Sequence, residues 1–138
     1  MNPCDVDDSS SPTFHSQFST FAKKHRKLKD DLAAAIETIG RDYKNACDAA
    51  RVPNRNFKEP IKEVWKYSIK STDLQRSPKN GFRAVGVFLD EQSTDGKPRT
   101  MYLALFYFKG DQADFGKDEL ERAVAFIHSK IKAAREQS

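Results

Sequence analysis

The sequence predicts an α+β fold: a small, twisted antiparallel β-sheet with an N-terminal helix or helical hairpin and a C-terminal helix packed on it. Three observations carry this. Phe18, Phe21, Leu28, Leu32, Ile36 and Ile39 recur at three- and four-residue steps, the signature of an amphipathic helix. Three runs, at residues 64–69, 82–89 and 100–108, are strand-like, the last two dense in β-branched and aromatic side chains. From residue 116 to 134 the helical spacing returns through Leu120, Ala123, Val124, Ile127 and Ile131. Helices before and after a run of strands make an α+β arrangement, and no internal repeat is visible.

In chain order, residues 1–12 form a Ser/Pro/Asp-rich leader with the acidic stretch DVDD at 5–8, expected to be flexible as far as Pro12. Residues 13–138 then make a single domain. The stretch 13–18 (TFHSQF) reads as a short strand feeding the first helix, for which Ser19 or Thr20 is a suitable N-cap. Gly40 ends or interrupts that helix, and 41–50 (RDYKNACDAA) is open to a second one before the loop at 51–56. The strands are joined by short, turn-rich connectors, SPKNG at 77–81 and STDGKP at 93–98, which predict an antiparallel meander.

Composition narrows the function. At 138 residues the chain is long enough for one domain with a modest core, and 38% hydrophobic with 32% charged residues describes a globular chain with a heavily solvated surface. No apolar run approaches the roughly 18 residues of a membrane-spanning helix, and the N-terminus lacks a basic, apolar secretory start, so a cytoplasmic location is expected. Cys4 and Cys47 read as free thiols, and His15, His25 and His128 are scattered without metal-ligand spacing. Neither a metal nor a cofactor is expected. The absence of GxGxxG, Walker A and GxSxG patterns argues against nucleotide-dependent enzymes and serine hydrolases.

The net charge of +4 is mild, but its distribution is uneven. Residues 23–29 hold five cations, Lys23, Lys24, Arg26, Lys27 and Lys29, and no acid; residues 58–83 hold seven cations against Glu59, Glu63 and Asp73. The first run is the wet side of the first helix, whose dry side is Phe21, His25, Leu28 and Leu32, and it is also a candidate contact for RNA phosphates. In the second, strand alternation puts Lys66, Ser68 and Lys70 on one face and Trp65, Tyr67 and Ile69 on the other. Cations on the outer face of a sheet most often only keep it soluble and discourage edge pairing.

Four segments in order, FSTFAKKHRKLKDDL, VWKYSIK, GFRAVGVF and LALFYFKGDQADFGKDELERAV, resemble the RelE/ParE superfamily of toxins from bacterial toxin–antitoxin modules, over roughly residues 13–130. The resemblance implies a small antiparallel sheet flanked by helices, and one of two activities. RelE-like members cut messenger RNA on the ribosome without a metal, by attack of the RNA 2′-OH on its neighbouring phosphorus; ParE-like members poison DNA gyrase. A third possibility is a binding or regulatory relative that has lost its nuclease.

The RelE-like chemistry needs a proton acceptor, a proton donor and cations around the phosphate. On the resemblance, Lys66 matches the lysine of the family's "YK" strand, for proton transfer or phosphate contact, and Arg83 the arginine of "GYR", for holding the scissile phosphate. Lys109, at the exit of the last strand, completes the catalytic cluster; Lys70, Phe115, Lys23, Lys24, Arg26 and Lys27 are RNA-binding candidates, Phe115 by stacking on a base. Ser68 stands where active relatives carry a second lysine, and Phe115 where many carry a tyrosine or histidine. The implied partners are a cognate antitoxin, the ribosome and messenger RNA.

Overall fold

Ser11 and Pro12 fix where the first helix begins. In the computed structural model, which describes residues 1–53, 56–72, 81–90 and 98–136, helix α1 spans Pro12–Ala22. The Ser11 hydroxyl accepts the Phe14 amide at 3.1 Å, and Pro12 occupies the first turn, where its missing N–H costs nothing. The segment 13–18 is therefore helical, not a strand, and the cap is Ser11, not Ser19 or Thr20. Phe14 and Phe18, four residues apart, share one face of this helix and are both buried.

The helical spacing from 18 to 39 is divided between two helices. Around residues 23–25 the backbone bonds tighten (Lys24 N–H to Phe21 O, 3.0 Å), the chain turns, and α2 runs over Leu28–Arg41. Asp30 and Asp31 lie in its first turn, favourably placed against the helix dipole. Beyond it, residues 41–50 do not form another helix. Asp42 caps α2, accepting bonds from Asn2 and Asn45; such short polar side chains compete with helical backbone bonding. A 3-10 turn at Ala46–Asp48 follows, with Cys47 and Asp48 both left-handed (φ 51° and 52°), then the short strand β2 at Ala50–Arg51.

The N-terminal leader, expected to be flexible, contributes strand β1 at Asp5–Asp7. It pairs in parallel with β5, the strand at Thr100–Phe108. Between them in the chain come β3 (Ile61–Ile69), which starts three residues before the expected 64, and β4 (Phe82–Leu89). The sheet order is β1-β5-β4-β3-β2, antiparallel throughout except for β1 against β5, so the sheet is mixed and not purely antiparallel. The predicted meander is present as β3–β4–β5.

Both faces of the sheet are covered. On one, Phe14, Phe18, Leu28, Leu32 and Ile39 of α1 and α2 pack on Tyr67, Ile69, Phe82 and Phe106. Phe106 meets the rings of Phe14 and Phe18 edge-on at 5.8 and 5.2 Å. On the other, helix α3 (Lys117–Glu136) lays Leu120, Ala123, Val124 and Ile127 on Val64, Val85, Val87 and Leu105. Each such apolar side chain contributes on the order of 1.5–3 kcal/mol on burial.

Two further features position the site. Val85 pairs with Leu105 but Gly86 with Leu103, so Ala104 is an extra residue, a β-bulge. Past β1, the open edge of β5 is satisfied by α1: Ser11 Oγ donates to Ala104 O at 2.9 Å, and Gln17 Oε1 accepts from Phe106 N at 2.8 Å. Gln17 Nε2 donates to Glu119 of α3, tying the helices together around that edge. Among the described residues no helix is long and apolar enough to cross a membrane.

Candidate functional site

Strand alternation and register decide what the sheet presents. Lys66 pairs with Val85, and Ser68 with Arg83, across the β3–β4 ladder. Residues opposite each other in an antiparallel pair share a face, as do residues two apart on one strand. Lys66 and Arg83 therefore emerge on the same face, the one carrying Val64, Val85 and α3. On the next strand Tyr107 pairs with Arg83 and joins them.

The segment between β5 and α3 closes over this end of the face. Asp114 Oδ1 accepts from Lys66 Nζ at 3.3 Å and from the Phe115 amide at 2.9 Å. The Lys66 and Asp114 side chains are about a third exposed, at 30% and 35%. The Asp114 carboxylate also lies near the Tyr107 phenol. Burial, then the Asp114 charge, pushes the phenol pKa up to about 12, while Arg83 opposes the rise. The phenol therefore keeps its proton at neutral pH.

Arg83 is nearly buried, at 9% exposed, and its Nη1 donates to Phe82 O at 3.0 Å. Burial lowers its pKa from the ordinary value, opposed by Tyr107 and Asp48. A guanidinium stays charged through such a shift, so the group has two cationic donors, one protonated phenol and one carboxylate within a single patch.

The other candidates lie elsewhere. Lys109 follows β5 directly, its backbone N–H bonding Gly81 O at 3.0 Å and its side chain exposed. Lys70, just past β3, lines a separate cavity of about 560 Å³ together with Asp31, Thr38, Cys47, Asp48 and Ser68. Phe115 is 4% exposed and packs in the α3-side core, so it is not presented for stacking on a base. Lys23, Lys24, Arg26 and Lys27 are exposed around the α1–α2 turn, in the layer on the opposite side of the sheet from Lys66 and Arg83. Among the described residues these two sets of cations lie on opposite sides of the sheet, and the connector at 73–79, rich in charge, lies outside the described residues. Nor is the basic face of the sheet laid open, because α3 and the segment before it cover most of it.

No family model, curated protein or solved structure matches the chain. The geometry is thus the ground for any functional reading.

Sequence reasoning missed Asp114 and left the face of Tyr107 open. The bulge at Ala104 is the reason for the second: it lets Ala104 and Leu105 both join the α3-side core, so simple alternation along LALFYF gives no reliable face. Asp114 sits in a turn-rich stretch ahead of a helix, where an aspartate ordinarily bonds only its own backbone. Its contact with Lys66 spans 48 residues and leaves no local trace.

A second ionic group, Arg99 with Glu63, is structural. Arg99 stacks 3.8 Å over the Phe88 ring, donates to Glu63 at 2.6 Å and reaches the Tyr43 hydroxyl at 2.6 Å. Cys4 and Cys47 are free thiols; burial pushes the Cys4 pKa up to about 11, which keeps it protonated and unreactive. Among the described residues no group of three or more His, Cys, Asp or Glu side chains gathers as metal ligands do.

Proposed function

We propose that the chain is a RelE-like toxin of a bacterial toxin–antitoxin module, a ribosome-dependent endoribonuclease that cuts messenger RNA by metal-independent 2′-OH attack and so stops translation. The observation that carries this reading is the shared face of Lys66 and Arg83 on adjacent strands, with Tyr107 beside Arg83. The helical hairpin, three-stranded meander and final helix, and the placement of the quoted YK-like and GYR-like segments on adjacent strands, also support it.

In this reading Arg83, fixed by Phe82 O, grips the scissile phosphate through its fork of donors, and Lys66 adds a second cation. Donors held in place before reaction stabilise the crowded, doubly charged phosphorane without reorganising as it forms. Tyr107, protonated at neutral pH and 4% exposed, has to be reached at its hydroxyl tip by the leaving 5′-oxygen, to which it gives up its proton as the P–O5′ bond breaks. The partners that belong to this reading are the ribosome with its message and a cognate antitoxin, and the place of action is the cytoplasm.

One observation favours a second reading, a binding or regulatory relative without nuclease activity: Arg83 is nearly buried and Lys66 is engaged by Asp114. Induced expression in a bacterial host separates the readings. Rapid loss of amino-acid incorporation with undamaged DNA supports the endoribonuclease, DNA damage with continuing translation indicates gyrase inhibition, and unimpaired growth indicates the binding relative.

A further inference from the structure

The endoribonuclease reading leaves one proton without a destination, that of the attacking 2′-OH. Arginine has no acceptor atom, the Lys66 ammonium only donates, and Tyr107 holds its own proton. The acceptor that meets Lys66 is the carboxylate of Asp114, bonded by Lys66 from β3 and by the Phe115 amide, and near Tyr107 of β5. Its side chain is 35% exposed, so an RNA hydroxyl can approach it from solvent.

We infer that Asp114 is the proton acceptor of the cleavage reaction, with Lys66 as the residue that positions its carboxylate; this rests on the endoribonuclease reading. The 2′-OH proton passes to an Asp114 oxygen as O2′ bonds to phosphorus. The P–O5′ bond breaks and O5′ takes the Tyr107 proton, giving a 2′,3′-cyclic phosphate and a 5′-OH end. Asp114 is then a neutral acid and Tyr107 a phenolate. The proton passes from Asp114 back to Tyr107 through water, and both residues are restored without a co-reactant.

The groups at Asp114 are Lys66 on β3 and the neutral Tyr107 phenol on β5, with the exposed Asp111, Lys117 and Asp118 flanking it along the chain, while Arg83 on β4 interacts electrostatically with Tyr107 and Asp48. Of the carboxylates near the patch, Asp114 is the one that Lys66 bonds.

The test is the pH profile of message cleavage on programmed ribosomes by the purified full chain. The wild-type rate is expected to rise with pH along an acidic limb. Asp114→Asn is expected to lose about 10²–10⁴-fold in rate and to lose that limb, while keeping the wild-type circular dichroism and thermal midpoint. Asp114→Glu is expected to keep a displaced limb and part of the rate, and it carries the test if the asparagine variant does not fold. Cleavage by Asp114→Asn at the wild-type rate, or faster, or an unmoved limb in Asp114→Glu, would overturn the inference and leave the endoribonuclease reading standing. Programmed ribosomes left intact by the wild-type chain would overturn the reading itself, and the inference with it.

Discussion

Lys66 and Arg83 leave neighbouring strands on the same face of the sheet, two register positions apart, Lys66 opposite Val85 and Arg83 opposite Ser68. A single-residue slip of this ladder would send the two cations to opposite faces. The aromatic face forbids that slip, since Tyr67 and Ile69 of β3 would be turned away from Phe82 and Phe106 and toward α3. Packing on one side of the sheet thus sets the spacing of charges on the other.

Arg83→Lys and Arg83→Ala distinguish a fork from a charge. Lysine keeps the cation but cannot bond Phe82 O and a phosphate in one plane. The alanine variant should lose roughly 10²-fold or more in cleavage, and the lysine variant should recover only a small part of that. Rates on programmed ribosomes, beside thermal midpoints for both variants, check this.

Tyr107→Phe should reduce cleavage by about 10²–10⁴-fold, the range for loss of a proton donor. It should also change alkaline stability. A phenol whose pKa is 10.0 ordinarily and about 12 in the fold stabilises the native state below pH 10 and gives that up as pH rises toward 12. Cys4 and Tyr67, both raised by burial, add losses of the same sign. Denaturation midpoints between pH 10 and 12 should therefore fall less steeply for Tyr107→Phe than for the wild type.

Ser11 serves two elements through one hydroxyl, capping α1 and bonding Ala104 O at the bulge. Ser11→Ala removes both and leaves a buried carbonyl unpaired, at a cost of about 2–3 kcal/mol. Urea unfolding measures it. A cost below about 0.5 kcal/mol would show that the cap is dispensable.

Gly86 lies where β4 meets the bulged part of β5. A Cβ there would stand 2.4 Å from Met101 Sδ and 2.9 Å from its Cγ, and Met101 is fully buried. Gly86→Ala should destabilise by roughly 1–3 kcal/mol, the usual cost of overpacking, and Met101→Ala in the same chain should recover part of it.

How much of this was legible in the sequence depends on the range of each contact. The three long strands and the final helix follow from side-chain period, which is local, and their limits agree to within three residues. So does the placement of Lys66 opposite the Trp65, Tyr67 and Ile69 face. What escaped depends on distant partners. Residues 5–7 form a strand because β5 offers an edge, and residues 13–18 become helical because Phe14 and Phe18 find Phe106. Asp114 joins the site only because β3 brings Lys66 beside it. Composition places these segments in a leader, a strand and a loop; the tertiary neighbours place them otherwise.

The account stands on Lys66 and Arg83 gripping one RNA phosphate between them. Mapping 5′ ends of messages by primer extension, in cells expressing the wild-type chain, Lys66→Ala or Arg83→Ala, measures that most directly. A discrete set of new ends with the wild type, absent with both variants while all three chains accumulate to equal levels, is the expected result. Unaltered messages with the wild type, or the same ends persisting in either variant, would contradict it.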